Sequence, residues 1–372
     1  MNNFYKVPVL LVLHMPPPIH GAAMVGKYIH DSELINSEYE CYYINLATAS
    51  GLGDIGKFKI KKVFSLLQLL CKIHHSVKEI KPKLVYITPN AKGGPFYKDF
   101  VVVMMLKRMG CKVITHYHNK GVLTRQNKTF DHFLYKRFFK GLKIILLSES
   151  LYPDVQKYVK KEDVFICPNG IPERSEKCKV TNERSSAIPH VLFLSNLLIE
   201  KGVLVLLDAL KILKEKGCSF VIDFVGGETA EMNNERFDLE VQQRGFQDVV
   251  RYHGKQYGKD KNAFWEKANV FVFPTFYQNE CFPLVLLEAM QHGLPIITTD
   301  EGGIPDIVKD GENGLICKKN NPEDLAEKLM TLLDNEQLRL KMGQDGYKKY
   351  QEKFTLEIFE RRFSGILHTL TE

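Results

Sequence analysis

The chain lacks any apolar run long enough to cross a bilayer. A spanning helix needs about 20 largely apolar residues, and the best candidates, 7–13, 100–106 and 144–147, fall far short. It also lacks paired cysteines. The eight, at positions 41, 71, 111, 167, 178, 218, 281 and 317, include no Cys-x-x-Cys pair and no histidine partner at zinc-ligand spacing. Neither a disulfide frame nor a structural metal site is therefore indicated, and most cysteines are expected to be small, reduced core residues. No secretory signal is legible: Lys6 precedes only about seven apolar residues before His14 and three prolines, with no small-residue cleavage site. A cytoplasmic location is the expectation, with peripheral attachment to the inner face of the plasma membrane beside it. Low-complexity stretches are missing too, and 44% hydrophobic with 26% charged residues are globular proportions.

Acidic residues are scarce in the first half only. Residues 1–180 hold 28 Lys/Arg against 14 Asp/Glu, and residues 181–372 hold 23 against 30, so the net charge of +7 conceals +14 beside −7. Such a basic half meets something anionic: a phospholipid surface, a phosphorylated substrate or a nucleic acid. No RNA-recognition, zinc-finger or other nucleic-acid signature appears, so nucleic acid is not expected as a partner.

With 372 residues the chain exceeds the ~100–200 of one domain. Short β-rich apolar runs alternate with segments of helical period: strands at 7–13, 43–46, 84–88, 112–116, 143–147 and 164–167, and helices at 22–29, 64–80, 96–109, 130–139 and 152–158. Repeated strand and helix means a parallel sheet. The turn cluster 168–172 and the polar stretch 173–186 read as a linker, after which the pattern restarts. The expected organisation is a first domain over 1–178, a second over 187–350 and a terminal segment over 351–372. In that segment Leu356, Phe359, Phe363, Ile366 and Leu370 share one helical face that could pack back on the first domain.

Ligands of open α/β sheets collect at loops leaving the carboxyl ends of strands. The strongest such loop follows strand 270–273, where Glu280 and Glu288 bracket Cys281, Phe282, Pro283 and Leu284. Pro283 suits a first helical turn, which places Glu280 just outside a helix start whose N–H groups are unpaired. Glu288 falls in the apolar run 286–290, where a carboxylate is costly unless hydrogen-bonded; a ribose diol offers two donors. Lys201 lies between the strand at 191–195 and the next helix. The loop 16–23, with His20 and Gly21, has small residues that let backbone approach a phosphate or sugar. His116 and His118 end the fourth strand, where either imidazole could hydrogen-bond a hydroxyl. The segment 57–64 interleaves Lys57, Lys59, Lys61 and Lys62 with apolar residues, as interfacial elements do, and Arg125, Lys128, Lys136, Arg137 and Lys140 could extend that surface.

These motifs resemble the retaining family-four glycosyltransferases of the GT-B fold. The likeness rests on Pro-x-x-x-x-Asn-Glu280-x-Phe-Pro-Leu-x-x-Leu-Glu288-Ala-Met, Gly293-Leu-Pro-Ile-Ile-Thr, Gly302-Gly303-Ile-Pro-Asp306 and Asp310-Gly-Glu-Asn-Gly314, with weaker matches through the first half. It implies an α/β architecture of two Rossmann-like doubly wound domains facing across a cleft. The activity it implies is hexosyl transfer from a nucleotide sugar to an acceptor, with retained anomeric configuration, no metal and no cofactor beyond the substrate itself.

Carried over, Glu280 with the amides of Cys281, Phe282 and Leu284 would hold donor-sugar hydroxyls, Glu288 the ribose, and His118 a sugar hydroxyl near the acceptor. Lys201 would neutralise the diphosphate, Gly21 would lie in the first loop, and Gly226, Gly227 and the backbone from Gly254 would lie near base and phosphates. Asn196 stands where the family often has arginine, so a bidentate cation is missing and Lys201 carries more of the diphosphate. UDP- or GDP-sugars are the expected donors. A glycan or a polyprenyl-pyrophosphate-linked glycan is the expected acceptor in lipopolysaccharide or capsule assembly, and an anionic membrane is a further partner. Two alternatives are a nucleotide-sugar epimerase or phosphorylase on this architecture, and a non-enzymatic binding protein using the basic surface.

Overall fold

The computed structural model describes residues 6–46, 60–174 and 188–372, with 60–62 as backbone only. It divides into two units, Met1–Gly170 with Leu356–Glu372, and Ile171–Thr355. Lys57, Lys59 and the linker stretch 175–187 lie outside the described residues, as do the side chains of Lys61 and Lys62.

The sheet of the first unit contains β1 (Val7–Leu13), β2 (Tyr39–Asn45), β3 (Leu84–Ile87), β4 (Val113–Tyr117), β5 (Lys143–Leu146) and β6 (Val164–Ile166), all parallel, in the order β2-β1-β3-β4-β5-β6. The register sets Val9 of β1 between Cys41 of β2 and Leu84 of β3. Strand sequences such as VPVLLVL and LVYI are continuously apolar because helices cover both faces. The chain reverses direction across the sheet after β2, which makes β1/β3 the switch point. Right-handed crossovers then put Gly21–Asp31 and Glu33–Glu38 on one face. Ile60–Ile80, Gly93–Arg108, Val122–Arg125 and Thr129–Phe139 fall on the other, packed side by side.

The last helix, Leu356–Thr371, belongs to the first unit, against Glu33–Glu38 and β3. Its apolar face buries Phe359, Phe363, Ile366, Leu367 and Leu370, the three-and-four spacing visible in the sequence. Each such side chain contributes at most about 1.5–3 kcal/mol. Phe363 meets the Tyr86 ring edge-on at 5.0 Å, and the Tyr39 hydroxyl donates to the Ser364 carbonyl at 3.1 Å.

The second unit repeats the plan with β7 (His190–Leu194), β8 (Val221–Val225), β9 (Val250–Tyr252), β10 (Val270–Phe273), β11 (Ile296–Thr298) and β12 (Gly314–Ile316), ordered β12-β11-β10-β7-β8-β9. This is the usual Rossmann order, with its switch point between β7 and β10. Helix Val203–Glu215 supplies Val203, Leu206, Leu207, Leu210 and Leu213 to the core. The unit's first and last residues, Ile171 and Thr355, form a bridge.

Several elements differ from the sequence expectation. The segment expected as a helix at 152–158 is a 3₁₀ turn, Glu149–Asp154, containing Pro153, followed by further turns. Helices Glu33–Glu38, Asn234–Gln243, Gly258–Lys267 and Glu336–Lys353 were not legible, because each is short or presents few apolar residues. Glu336–Lys353 packs through glycine instead: a Cβ at Gly343 would meet the Gly293 carbonyl oxygen at 2.1 Å. Pro283 caps helix Leu284–Gln291 rather than entering its first turn.

Candidate functional site

Both switch points carry clustered polar side chains, one cluster in each unit. In the second unit, the loops after β7 and β10 are tied together. The Phe276 N–H donates to the Glu200 carbonyl at 2.8 Å. Gly202, at φ +87°, ends the β7 loop and begins helix Val203–Glu215; a Cβ there would strike the Pro274 carbonyl oxygen at 2.3 Å, so only glycine allows this approach.

On this frame the Lys201 ammonium pairs with the Glu280 carboxylate. The pair is largely buried, with side chains 13% and 9% exposed. Lys201 also lies 4.7 Å from the Tyr277 ring centroid and 5.2 Å from that of Phe273, so aromatic faces share its charge. The Thr275 hydroxyl donates to Glu280 at 3.5 Å. Gly302, at φ +60°, packs against the Glu280 carbonyl, where a Cβ would come within 2.3 Å, and the Gly303 N–H donates to the Cys281 carbonyl at 2.7 Å. Cys281 and Phe282 are buried, and Leu284 begins the helix, whose first turn has no side-chain cap. The positive end of a helix dipole at such a start attracts anions.

Glu288 is half-buried one turn further along this helix and is already engaged: Lys261, from helix Gly258–Lys267, donates to Oε1 at 2.8 Å and lies 2.6 Å from Oε2. Nothing in the sequence singles out Lys261. It sits on a polar helix, far from Glu288 in the chain.

The remaining expected residues stitch the loops of β7, β8 and β9 together. The Gly226 N–H donates to the Gly254 carbonyl at 2.8 Å, so it is not open to a ligand. A Cβ on Gly226, at φ +154°, would meet the Ser195 carbonyl oxygen at 1.8 Å. Asn196 uses its side-chain oxygen to accept the Gly227 N–H at 3.1 Å. Gly254, at φ +65°, faces open space. A Cβ on Gly227 would meet Lys255 Cε at 2.2 Å and Asn196 Oδ1 at 2.9 Å. The Lys255 stem therefore crosses bare Gly227 beside Asn196, where the sequence lacks a cation. Among the described residues Lys255 is in no ion pair. The sequence places Lys255 near base and phosphates through its backbone alone, and it does not single out Lys261.

In the first unit the switch-point loops gather histidines. The His14 N–H donates to the Thr88 hydroxyl at 3.1 Å, and its ring Nδ1 meets the same oxygen at 3.1 Å. His20 caps helix Gly21–Asp31 by accepting the Ala23 N–H at 3.3 Å; Gly21 itself is exposed with open space at its Cα. The two histidines competing at the end of β4 are separated by their partners. His116 is fully buried, and its Nδ1 lies 2.8 Å from the Tyr86 hydroxyl, inside the packing against Phe363. The ring of His118 lies 4.2 Å from that of His116, and both of its nitrogens are buried without a hydrogen-bond partner among the described residues.

Burial pushes the His118 imidazolium down to about 3, with His20 adding repulsion. Burial likewise lowers His14 to about 3, helped by the charge of Lys98. These rings are neutral at physiological pH. An unpartnered neutral imidazole in a desolvated position calls for a hydroxyl or amide to pair with. Asn119 locks the neighbouring loop by accepting the Ala91 N–H at 2.7 Å.

The sequence profile of the family described as Glycosyl transferases group 1 matches residues 177–349. An uncharacterised glycosyltransferase of Methanocaldococcus jannaschii is 32% identical over 263 residues, covering 70% of each chain. A capsular polysaccharide biosynthesis glycosyltransferase of Staphylococcus aureus is 29% identical over 245 residues, covering 62% of each. Among solved structures, a glycosyltransferase from Rickettsia africae superposes with TM-score 0.76 at 17% identity, covering 99% of this chain and 100% of that one. An Anabaena protein in complex with UDP and glucose superposes with TM-score 0.70 at 16% identity over 98% and 100%. These likenesses show the fold expected from the motifs.

Proposed function

The chain belongs to the group 1 glycosyltransferases, and from that premise we propose that it transfers a sugar from a nucleoside-diphosphate donor to a glycan or lipid-linked glycan during surface polysaccharide assembly, retaining the anomeric configuration without a metal. The relative named for capsular polysaccharide biosynthesis supports the pathway class, and the structural neighbour holding UDP and glucose supports a uridine donor ahead of a guanosine one.

The observation that carries the reading is the Lys201–Glu280 pair at the β7/β10 switch point, beside an uncapped helix start. A ligand-free carboxylate and ammonium here neutralise each other. When donor enters, the diphosphate takes the ammonium and the N–H groups of the first turn, and Glu280 turns to the sugar hydroxyls. Glu288 exchanges part of its contact with Lys261 for the ribose hydroxyls. The anomeric carbon–oxygen bond to diphosphate breaks while the acceptor oxygen bonds to that carbon on the same face, and the acceptor proton passes to the leaving phosphate oxygen. Lys201 and the helix amides stabilise the charge that develops there. In the first unit, neutral His118 accepts or donates one hydrogen bond to a sugar hydroxyl.

The test is release of nucleoside diphosphate from UDP-, GDP-, ADP- and dTDP-sugars, with and without membrane-extracted acceptor, and the anomeric proton coupling of the product by NMR. Acceptor-dependent release with an unchanged anomer is expected. An inverted product overturns the retaining reading, and interconversion of donor sugars without acceptor replaces transfer by epimerisation.

A further inference from the structure

The positive charge of the first half is concentrated in one stretch. Residues 60–140 hold 17 Lys/Arg against three Asp/Glu, which accounts for the whole excess of 14. Two of the three acids are withdrawn from the surface. Asp99 is buried, accepting both N–H groups of Asn90 at 2.8 Å with Lys98 at 3.3 Å, and Asp131 is buried between the Tyr97 hydroxyl at 2.7 Å and Arg125 at 3.2 Å.

This stretch builds the helical layer on one face of the first sheet. The same layer exposes most of the large hydrophobic side chains exposed among the described residues: Phe64, Leu67, Val101, Leu123, Phe130 and Phe133. Phe130 is 62% exposed, and the Arg137 guanidinium lies 3.5 Å over the centroid of exposed Phe133, with Lys128 and Lys136 exposed nearby. Cation and aromatic thus present one surface.

Exposed aromatics without a protein partner are unfavourable in water. A surface of one sign that also projects them matches a bilayer carrying anionic lipids, where rings enter the interface and cations meet head-group phosphates. A nucleic acid would use the charge and could stack bases on the rings, but it would leave the exposed aliphatic side chains of Leu67, Val101 and Leu123 unmatched. We propose that the helical layer formed by Ile60–Ile80, Gly93–Arg108 and Val122–Phe139 docks on an anionic phospholipid surface, centred on Phe130, Phe133, Lys136 and Arg137. This deepens the reading of a lipid-linked acceptor, but the docking is measured without any transfer.

The test is co-sedimentation of the full chain with vesicles of phosphatidylcholine alone or mixed with phosphatidylglycerol, at low and physiological salt. Binding to the mixed vesicles is expected, weakened by salt. The variant K136E/R137E should weaken it by at least about fivefold per cation removed, equivalent to ~1 kcal/mol at a membrane surface. The variant F130S/F133S should weaken it comparably at unchanged charge. Melting temperature and calorimetric nucleotide binding, both read in the same variants, should stay at wild-type values. They report folding and the transfer reading separately. Failure to sediment with mixed vesicles at low salt overturns the proposal, as does binding that F130S/F133S leaves intact, which would mark a mere polyanion site.

Discussion

The two switch points solve the same problem with opposite chemistry. In the second unit the polar groups are charged and satisfied by one another, Lys201 with Glu280 and Lys261 with Glu288. In the first the clustered histidines His14 and His118 are neutral, and His118 is satisfied by nothing among the described residues. A self-paired ion site is insensitive to being empty and can trade partners with a ligand that carries both charge and hydroxyls, as a nucleotide sugar does. An unpartnered neutral ring, one nitrogen a donor and the other an acceptor, can pair with an uncharged hydroxyl without a counter-charge. Under the proposed function the charged ligand suits the second unit and an uncharged hydroxyl the first.

The largest effect should come from breaking the buried pair. Glu280→Gln leaves Lys201 without its counter-charge and the sugar hydroxyls without an ionised acceptor. Turnover should fall by about 10²–10³, the scale of removing one preorganised polar contact. Nucleoside diphosphate release measures it, and a loss confined to donor KM would mean that Glu280 only binds.

The histidine cluster should show itself in the pH dependence of stability. His14 and His118 are held neutral down to about 3, whereas an unfolded histidine takes up its proton near 6.5. The unfolded chain therefore binds more protons below 6.5, so their contribution is intact above that pH and is lost as pH falls. Each ring contributes a slope of up to about 1.4 kcal/mol per pH unit. Urea titrations at pH 7.5 and 5.5 measure this, and His118→Asn should flatten the difference. An unchanged slope would mean that His118 is hydrated.

The smallest effect sharpens the charged side of the comparison. Lys255→Gln should weaken nucleoside diphosphate binding by about three- to tenfold, the size of a solvent-facing charge-assisted contact. Asn196→Arg introduced into that variant should restore it. Equal affinities throughout would make Lys255 a bystander on Gly227.

What the sequence disclosed was whatever is local. The loop from β10 into helix Leu284–Gln291 carries its strand, its proline and both glutamates within a few turns, so the placement of Glu280 and Glu288 could be read directly. The face of the last helix was legible for the same reason. What stayed hidden depends on contacts across the sheet. Lys261 reaches Glu288 from another helix, the choice between His116 and His118 turns on Tyr86, and the Gly226 amide proves occupied by Gly254. The polar helices escaped because amphipathic period is weak where glycine, not leucine, makes the contact, as at Gly343.

Whether the β7/β10 switch point holds the nucleotide is decided by calorimetric titration of UDP into wild type and Glu288→Ala. Binding to the wild type is expected, with affinity at least about tenfold lower in the variant, the loss of a charge-assisted hydrogen bond to ribose. Equal affinity in the two proteins, with both folded, would contradict it.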